Sequence, residues 1–215
     1  MPGHRHQDAV WEAVPESLTP SDAALRERLL LARVRDLSGL DDAPPRVLDL
    51  GCGEGHFAAL LVQAGMSVVA ADIALEPLRR AREAHPGIEL CKLAPDAPLP
   101  FEDCRFDAVW AGEVIEHVAD TQSWLSEVRR VLRSGGTLLL STPDHGPLSR
   151  IAMALSRRHF EQRLDPRSDH LRFYTRHALA ALLCDFGFEA IDVRGAGGLP
   201  GARRVLFASA IRARF

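Results

Sequence analysis

The chain has 215 residues, 47% hydrophobic and 26% charged, which is material for one globular core. A formal net charge of −3 is too balanced for a surface dedicated to nucleic acid or to an anionic membrane, and it leaves small-molecule chemistry as the expectation. Cys52, Cys91, Cys104 and Cys184 are scattered without a C-x-x-C pair, so no disulfide framework and no cysteine metal site is expected. No run of 18 apolar residues occurs and the opening segment lacks the apolar core of a secretory signal, which predicts a cytoplasmic protein without an integral membrane segment.

Residues 1–18 show no helical or strand periodicity and read as a flexible arm. Thr19-Pro20-Ser21-Asp22 has the chemistry of a helix start, and Leu25, Leu29, Leu30, Val34 and Leu37 follow at helical spacing until Ser38-Gly39. From Arg46 strand and helix alternate. Val47-Leu48-Asp49-Leu50 is the first strand, followed by a helix with Phe57, Leu60, Leu61 and Ala64 inward that stops at Gly65. Val68 to Ala71 is the second strand; a helix from near Pro77, a third strand at Ile88 to Leu90 and a fourth at Phe106 to Trp110 follow. Trp124, Leu125, Val128, Val131 and Leu132 mark a helix closed before Gly135-Gly136, and Thr137 to Ser141 is the fifth strand. After about thirty irregular residues, a helix capped by Thr175 and strands at Phe188 to Val193 and Val205 to Ile211 finish the pattern. Such units predict an α/β fold with a doubly wound, mostly parallel sheet and a ligand crevice at the carboxyl ends of the strands.

The sharpest local signal is Asp49-Leu50-Gly51-Cys52-Gly53-Glu54-Gly55, placed between a buried strand and a helix. Glycines there allow a tight bend and close approach of a ligand, while helix-start N–H groups can meet a carboxylate. Asp72, at the end of the second strand, can accept both hydroxyls of a ribose. A nicotinamide-dependent oxidoreductase shares these two features. Its third glycine would fall where His56 stands, however, and Asp49 suits a cationic amino-acid ligand better than a pyrophosphate.

From Val47 to about Ile211 these residues resemble the class I S-adenosylmethionine-dependent methyltransferases, of the kind that includes ubiquinone-type O-methyltransferases. The resemblance implies a seven-stranded sheet with the last strand antiparallel, in one domain spanning residues 19–215, and S-adenosyl-L-methionine as cofactor. It implies that Asp49, Gly51, Cys52 and Gly53 hold the methionine part, Asp72 and Ile73 the ribose and adenine, and Asp96 and Ala97 the adenine amine. Ala111, Gly112 and Glu113, in the stretch Phe106-Asp107-Ala108-Val109-Trp110-Ala111-Gly112-Glu113-Val114-Ile115-Glu116-His117-Val118, would complete the methionine pocket.

A hydroxyl acceptor must lose a proton, and His117, His145 and His170 are the candidate bases by their positions near strand ends. The insertion at about 144–174 carries six arginines against four acids, with Leu148, Ile151, Ala152 and Leu155 at helical spacing. It reads either as a lid over a lipid-linked or anionic acceptor or as an ordinary helix with its apolar stripe buried. The late Gly195-Ala196-Gly197-Gly198-Leu199-Pro200 loop resembles bacterial glycan and glycolipid methyltransferases, and Ser141-Thr142-Pro143 the quinone enzymes. Both favour oxygen as acceptor atom, with nitrogen or carbon methylation, or a non-catalytic binding module, as alternatives; no metal is expected.

Overall fold

The computed structural model describes residues 22–35, 37, 43–163, 170–200 and 202–214. The arm at 1–18 and the cap at Thr19-Pro20-Ser21 lie outside the described residues. Helix α1 (Ala23–Val34) precedes β1 (Arg46–Leu50), α2 (His56–Gln63), β2 (Ser67–Asp72), α3 (Leu75–Ala84) and β3 (Glu89–Lys92). Then come β4 (Phe106–Gly112), a 3₁₀ turn at Ile115–His117, α4 (Thr121–Val131) and β5 (Leu132–Pro143). The insertion forms α5 (Pro147–Leu155) and α6 (Arg157–Arg163), and α7 (Arg176–Asp185), β6 (Phe188–Ala196) and β7 (Val205–Arg212) close the chain.

The seven strands form one sheet in the order β3-β2-β1-β4-β5-β7-β6. β1 to β5 are parallel, while β7 runs antiparallel to both β5 and β6. Strand order reverses between β1 and β4, the point where crossovers diverge to opposite faces and open a crevice above the strand ends. The strand alternation divides two cores. Val47, Val68, Ala70, Ala108 and Trp110 face α1, α2 and α3, where Leu30, Phe57, Leu61 and Leu78 are buried. Leu48, Leu50, Val69, Val109 and Leu138 face α4 and α7 through Leu125, Val128, Leu179 and Leu183. Burial on both faces explains why these strands read as continuous apolar runs.

Several expected details change in the fold. Ala64 is exposed rather than inward, because α2 ends at Gln63 and Ala58 occupies the sheet-facing position instead. β5 begins at Leu132, five residues before the expected start, and carries Gly135 and Gly136 within an irregular first stretch where its register against β4 shifts. Gly136 has room for nothing larger, since a Cβ there would sit 2.8 Å from the Arg133 carbonyl oxygen. In α1 Leu30 and Val34 of the expected stripe are buried, together with Ala23 and Arg26, whereas Leu25 and Leu29 are only partly covered.

Candidate active site

The loop after β1 is built on left-handed backbone. Gly51, Gly53 and Gly55 have φ of +77°, +53° and +82°, a region where side chains are strained. At Gly51 the requirement is doubled, because a Cβ would lie 2.5 Å from a methyl of Val114. The Gly51 and Cys52 N–H groups both donate to the Ala71 carbonyl oxygen, at 2.8 and 3.1 Å. These bonds fold the loop over the end of β2. There the Asp72 carboxylate accepts from the Gly53 N–H at 2.9 Å with one oxygen and from the Ala74 N–H at 2.8 Å with the other. Glycine loop and acid thus touch directly. Burial of the Asp72 carboxylate raises its pKa, opposed by these two hydrogen bonds.

Asp49 and Asp72 share the sheet face covered by α1 and α2, as their positions on neighbouring strands dictate. Asp49 is 1% exposed, and one of its carboxylate oxygens is buried without a hydrogen-bond partner among the described residues. Burial, then the nearby Asp72 charge, pushes its pKa up to about 8, with the Ala58 N–H opposing. Burial likewise pushes the Cys52 thiol upward, so that thiol is no nucleophile.

Ala111 is buried at the end of β4, and Gly112 abuts the Trp110 indole, which a Cβ would meet at 2.6 Å. Glu113 takes φ +58° and is pinned to β5: its N–H donates to the Ser141 carbonyl oxygen, and the Ser141 hydroxyl donates to its carboxylate, both at 2.9 Å. From α1, the guanidinium of Arg26 stacks over Phe57 at 5.1 Å, and its charge acts on both Glu113 and Glu116. Arg26 is 2% exposed, and desolvation is the main cause of its lowered pKa. Ile73 is partly buried against the core, whereas Asp96 (φ +55°) and Ala97 are exposed in the turn after β3.

Beyond β4 the 3₁₀ turn carries Glu116 inward and His117 to the crevice. The Glu116 carboxylate accepts from the Thr142 hydroxyl at 2.9 Å, and burial followed by the Glu113 charge raises its pKa to about 8. The Glu116 carbonyl oxygen accepts from the Leu171 and Arg172 N–H groups at 2.8 and 3.2 Å, which draws the end of the insertion onto the turn. As a result His117 and His170 meet edge to face at 4.8 Å. Ligand atoms of Glu116, His117 and His170 all lie within 4.8 Å of one another, close enough to share one cation or one proton relay. His145 is placed differently. It is 4% exposed, stacks edge-on against Phe173 at 4.9 Å, and its N–H donates to the Tyr174 carbonyl oxygen.

The sequence matches a family model described as a methyltransferase domain over residues 23–193. The chain belongs to the class I S-adenosylmethionine-dependent methyltransferases. It is 36% identical over 169 residues to a ubiquinone biosynthesis O-methyltransferase of Ruegeria sp. (strain TM1040), covering 75% of this chain and 67% of that protein. It is 34% identical over 157 residues to a probable S-adenosylmethionine-dependent methyltransferase of Mycobacterium tuberculosis, covering 73% of this chain and 53% of that protein. The chain therefore spans between about half and two-thirds of these curated relatives. In fold it is similar to the PH0226 protein from Pyrococcus horikoshii, with a TM-score of 0.67 at 24% identity and coverage of 89% and 90% of the two chains. An S-adenosylmethionine-dependent methyltransferase from Mesorhizobium loti gives 0.64 at 23% identity, covering 79% and 92%.

As a methyltransferase the protein uses S-adenosylmethionine, and the nicotinamide reading is closed. Two buried charges beside this site, Arg26 and Glu116, stand outside the residues expected from sequence. Arg26 is one of three arginines in α1, with Arg28 and Arg33, and only the packing of the helix makes it the buried one. Glu116 sits in the same stretch as His117, yet only its pairing with Thr142 on a distant strand reveals that it points inward. Among the described residues no helix is long and apolar enough to cross a membrane.

Proposed function

We propose that the protein transfers a methyl group to a hydroxyl oxygen of a small acceptor, with proton removal carried out at Glu116, His117 and His170. The observation that supports this is the convergence of those three side chains beside the end of β4. Methyl transfer from a sulfonium is an in-line displacement, so the chain must align donor and acceptor and exclude water. Oxygen adds one need, a group that takes the hydroxyl proton, and an imidazole within reach of a second imidazole and a carboxylate fills it. The Ruegeria relative, named for O-methylation, supports the same atom.

In this reading Gly51, Cys52 and Gly53 cradle the methionine end, Ala111, Gly112 and Glu113 wall it, and Asp49 meets its positive charge. The unpartnered buried oxygen of Asp49 supports that assignment, since a buried carboxylate needs a cation or a proton. Arg26 pairs with the methionine carboxylate. Asp72 accepts the ribose hydroxyls with Ile73 against the adenine, and Asp96 and Ala97 edge it from the turn after β3. His145, packed under Phe173, braces the acceptor side.

A divalent cation is a second reading of the same cluster, since one carboxylate and two imidazoles form a common donor set. When bound, it supplies Lewis acidity that lowers the pKa of a coordinated hydroxyl. The test is incubation with methyl-labelled cofactor and a panel of catechols, phenols, amines and activated carbon acids, followed by mass spectrometry. One labelled methyl on a phenolic oxygen is expected; transfer to amines or carbon alone would sink the assignment. Chelation before assay separates the two forms: activity lost and restored by Mn²⁺ or Zn²⁺ supports the cation, and unchanged activity supports the bare histidines.

A further inference from the structure

The six arginines of residues 144–174 read in sequence as one basic excess, but the Arg172 side chain turns away from the insertion and onto the chain that follows β4. There the 3₁₀ turn ends at His117, Val118 is extended, and Asp120 is the N-cap of α4. A helical turn that stops in this way leaves carbonyl oxygens without partners inside it, and such oxygens attract a cation. The Arg172 guanidinium takes two carbonyls just beyond the turn: Nη2 donates to the Ala119 oxygen at 2.6 Å, and Nε donates to the Val118 oxygen at 3.4 Å. Its charge also acts on Asp120, whose carboxyl is held below the usual range chiefly by bonds from the Ser123 N–H and hydroxyl.

Without that side chain the contact between the two segments is a pivot. The Leu171 and Arg172 N–H groups both converge on one atom, the Glu116 carbonyl oxygen. Two bonds to a single acceptor fix a distance and leave rotation about it open. The guanidinium adds a second attachment on the other side of His117, which turns the pivot into a clamp. Buried Tyr174 anchors the far end of the same segment. Its hydroxyl donates to the Ile115 carbonyl oxygen at 3.4 Å, its own carbonyl oxygen accepts from the His145 N–H at 3.3 Å, and it pairs with Asp144 in a parallel bridge. His117 is thus bracketed by held carbonyls at Glu116 and Val118, and His170 stands two residues before the residue that holds them.

The clamp calls for a guanidinium. Oxygens on successive residues need N–H groups that diverge within one rigid plane, whereas an ammonium is a point charge on a flexible stem and can hold one of them. Arg172 is exposed, so its bonds add little to global stability. Alignment is another matter, because a misplacement of about 1 Å in a reacting group can cost about 100-fold in rate. We propose that Arg172 is a positioning residue of the transfer reaction, which locks the turn after β4 to the end of the insertion and so keeps the His117 and His170 rings in the edge-to-face contact seen at 4.8 Å. In this role it touches neither cofactor nor acceptor. Its effect on rate rests on the reading of those histidines as proton acceptors, whereas the clamp itself does not.

The experiment compares the full chain with R172A, R172K, H170A and R172A/H170A, each containing isotopically labelled histidine and saturated with S-adenosylhomocysteine. In the parent, NMR should show a through-space cross-peak between ring protons of His117 and His170, assigned by its absence from H170A. R172A should lose that cross-peak and R172K should keep it weakened, while both bind S-adenosylhomocysteine and melt like the parent. With labelled cofactor and catechol, R172A should lower kcat by about 10–100-fold, R172K should fall between, and R172A should cost nothing more once His170 is gone. The proposal is overturned if the cross-peak is missing from the parent or persists in R172A. It is equally overturned if R172A lowers kcat by the same factor with and without His170, or if cofactor affinity and melting temperature fall along with turnover. H170A working at the parental rate would instead overturn the histidines as proton acceptors, and the cross-peak would still decide the clamp.

Discussion

The two halves of the crevice are built by opposite rules. On the β1–β2 side the acids assigned to the cofactor are buried and held before any ligand arrives: Asp49 is 1% exposed, and Asp72 accepts from the Gly53 and Ala74 N–H groups. On the β5 side the chain leaves the sheet into two helices, of which α5 buries none of its residues and leaves its apolar side chains in water. The difference teaches where each specificity resides. The segments assigned to the cofactor carry preformed geometry, whereas the insertion assigned to the acceptor leaves its apolar side chains open.

The sharpest break in this comparison comes at the junction of the halves. His170→Ala and His117→Ala should each lower kcat by about 10²–10⁴-fold while S-adenosylhomocysteine affinity stays at the parent value. His145→Ala, which empties a buried site under Phe173, should instead lower the melting temperature. A loss of turnover confined to His145→Ala would reverse these assignments.

Next in size is Asp72→Ala. Removal of the carboxylate takes away the ribose acceptor and releases the Gly53 and Ala74 N–H groups, with an expected loss of about 100-fold in cofactor affinity, roughly 3 kcal/mol. Calorimetry showing parental affinity would remove Asp72 from the site. Gly51→Ala tests preformation alone, since it adds one methyl in a left-handed backbone against Val114. It should cost about 2 kcal/mol of stability, visible as a lower melting temperature. Adding Val114→Ala should return only part of that, because the φ of +77° remains.

The smallest effect is a proton. Asp49 is raised to about 8 by burial and by Asp72, so the folded apo protein favours its protonated form. Between about pH 4 and pH 8 the folded state then binds more protons than the unfolded one, so the contribution of this group to stability falls as pH rises. Asp49→Asn should flatten that slope in denaturant titrations. A cationic ligand beside Asp49 should also release a fraction of a proton at pH 7, read as a dependence of binding enthalpy on buffer ionisation. No such dependence would mean that the cofactor's charge sits elsewhere.

Much of the first half was legible in the sequence because its signals are local. Glycines at positive φ, a strand that is apolar throughout and an acid at a strand end are set by neighbours in the chain, and Gly51, Gly53, Asp49 and Asp72 fall where that logic puts them. The helical spacing of Leu148, Ile151 and Leu155 was legible in the same way, and α5 forms over it.

Which way those groups face was not legible. Arg26 is buried because the inward face of α1 keeps Leu30 and Val34 but takes Ala23 and Arg26 in place of Leu25 and Leu29, a choice made by its packing on α2 and β7. Glu116 meets Thr142 across 26 residues, and His117 meets His170 across a longer stretch of chain, through a 3₁₀ turn and a loop drawn together by two backbone hydrogen bonds. The sequence by itself determined the element order, the glycine bend after β1 and the acids beside it, since each depends on propensities within a few residues. Only the tertiary structure decided which histidines meet, that a carboxylate joins them, and that the apolar stripe of α5 faces water, because those outcomes depend on contacts between segments far apart in the chain.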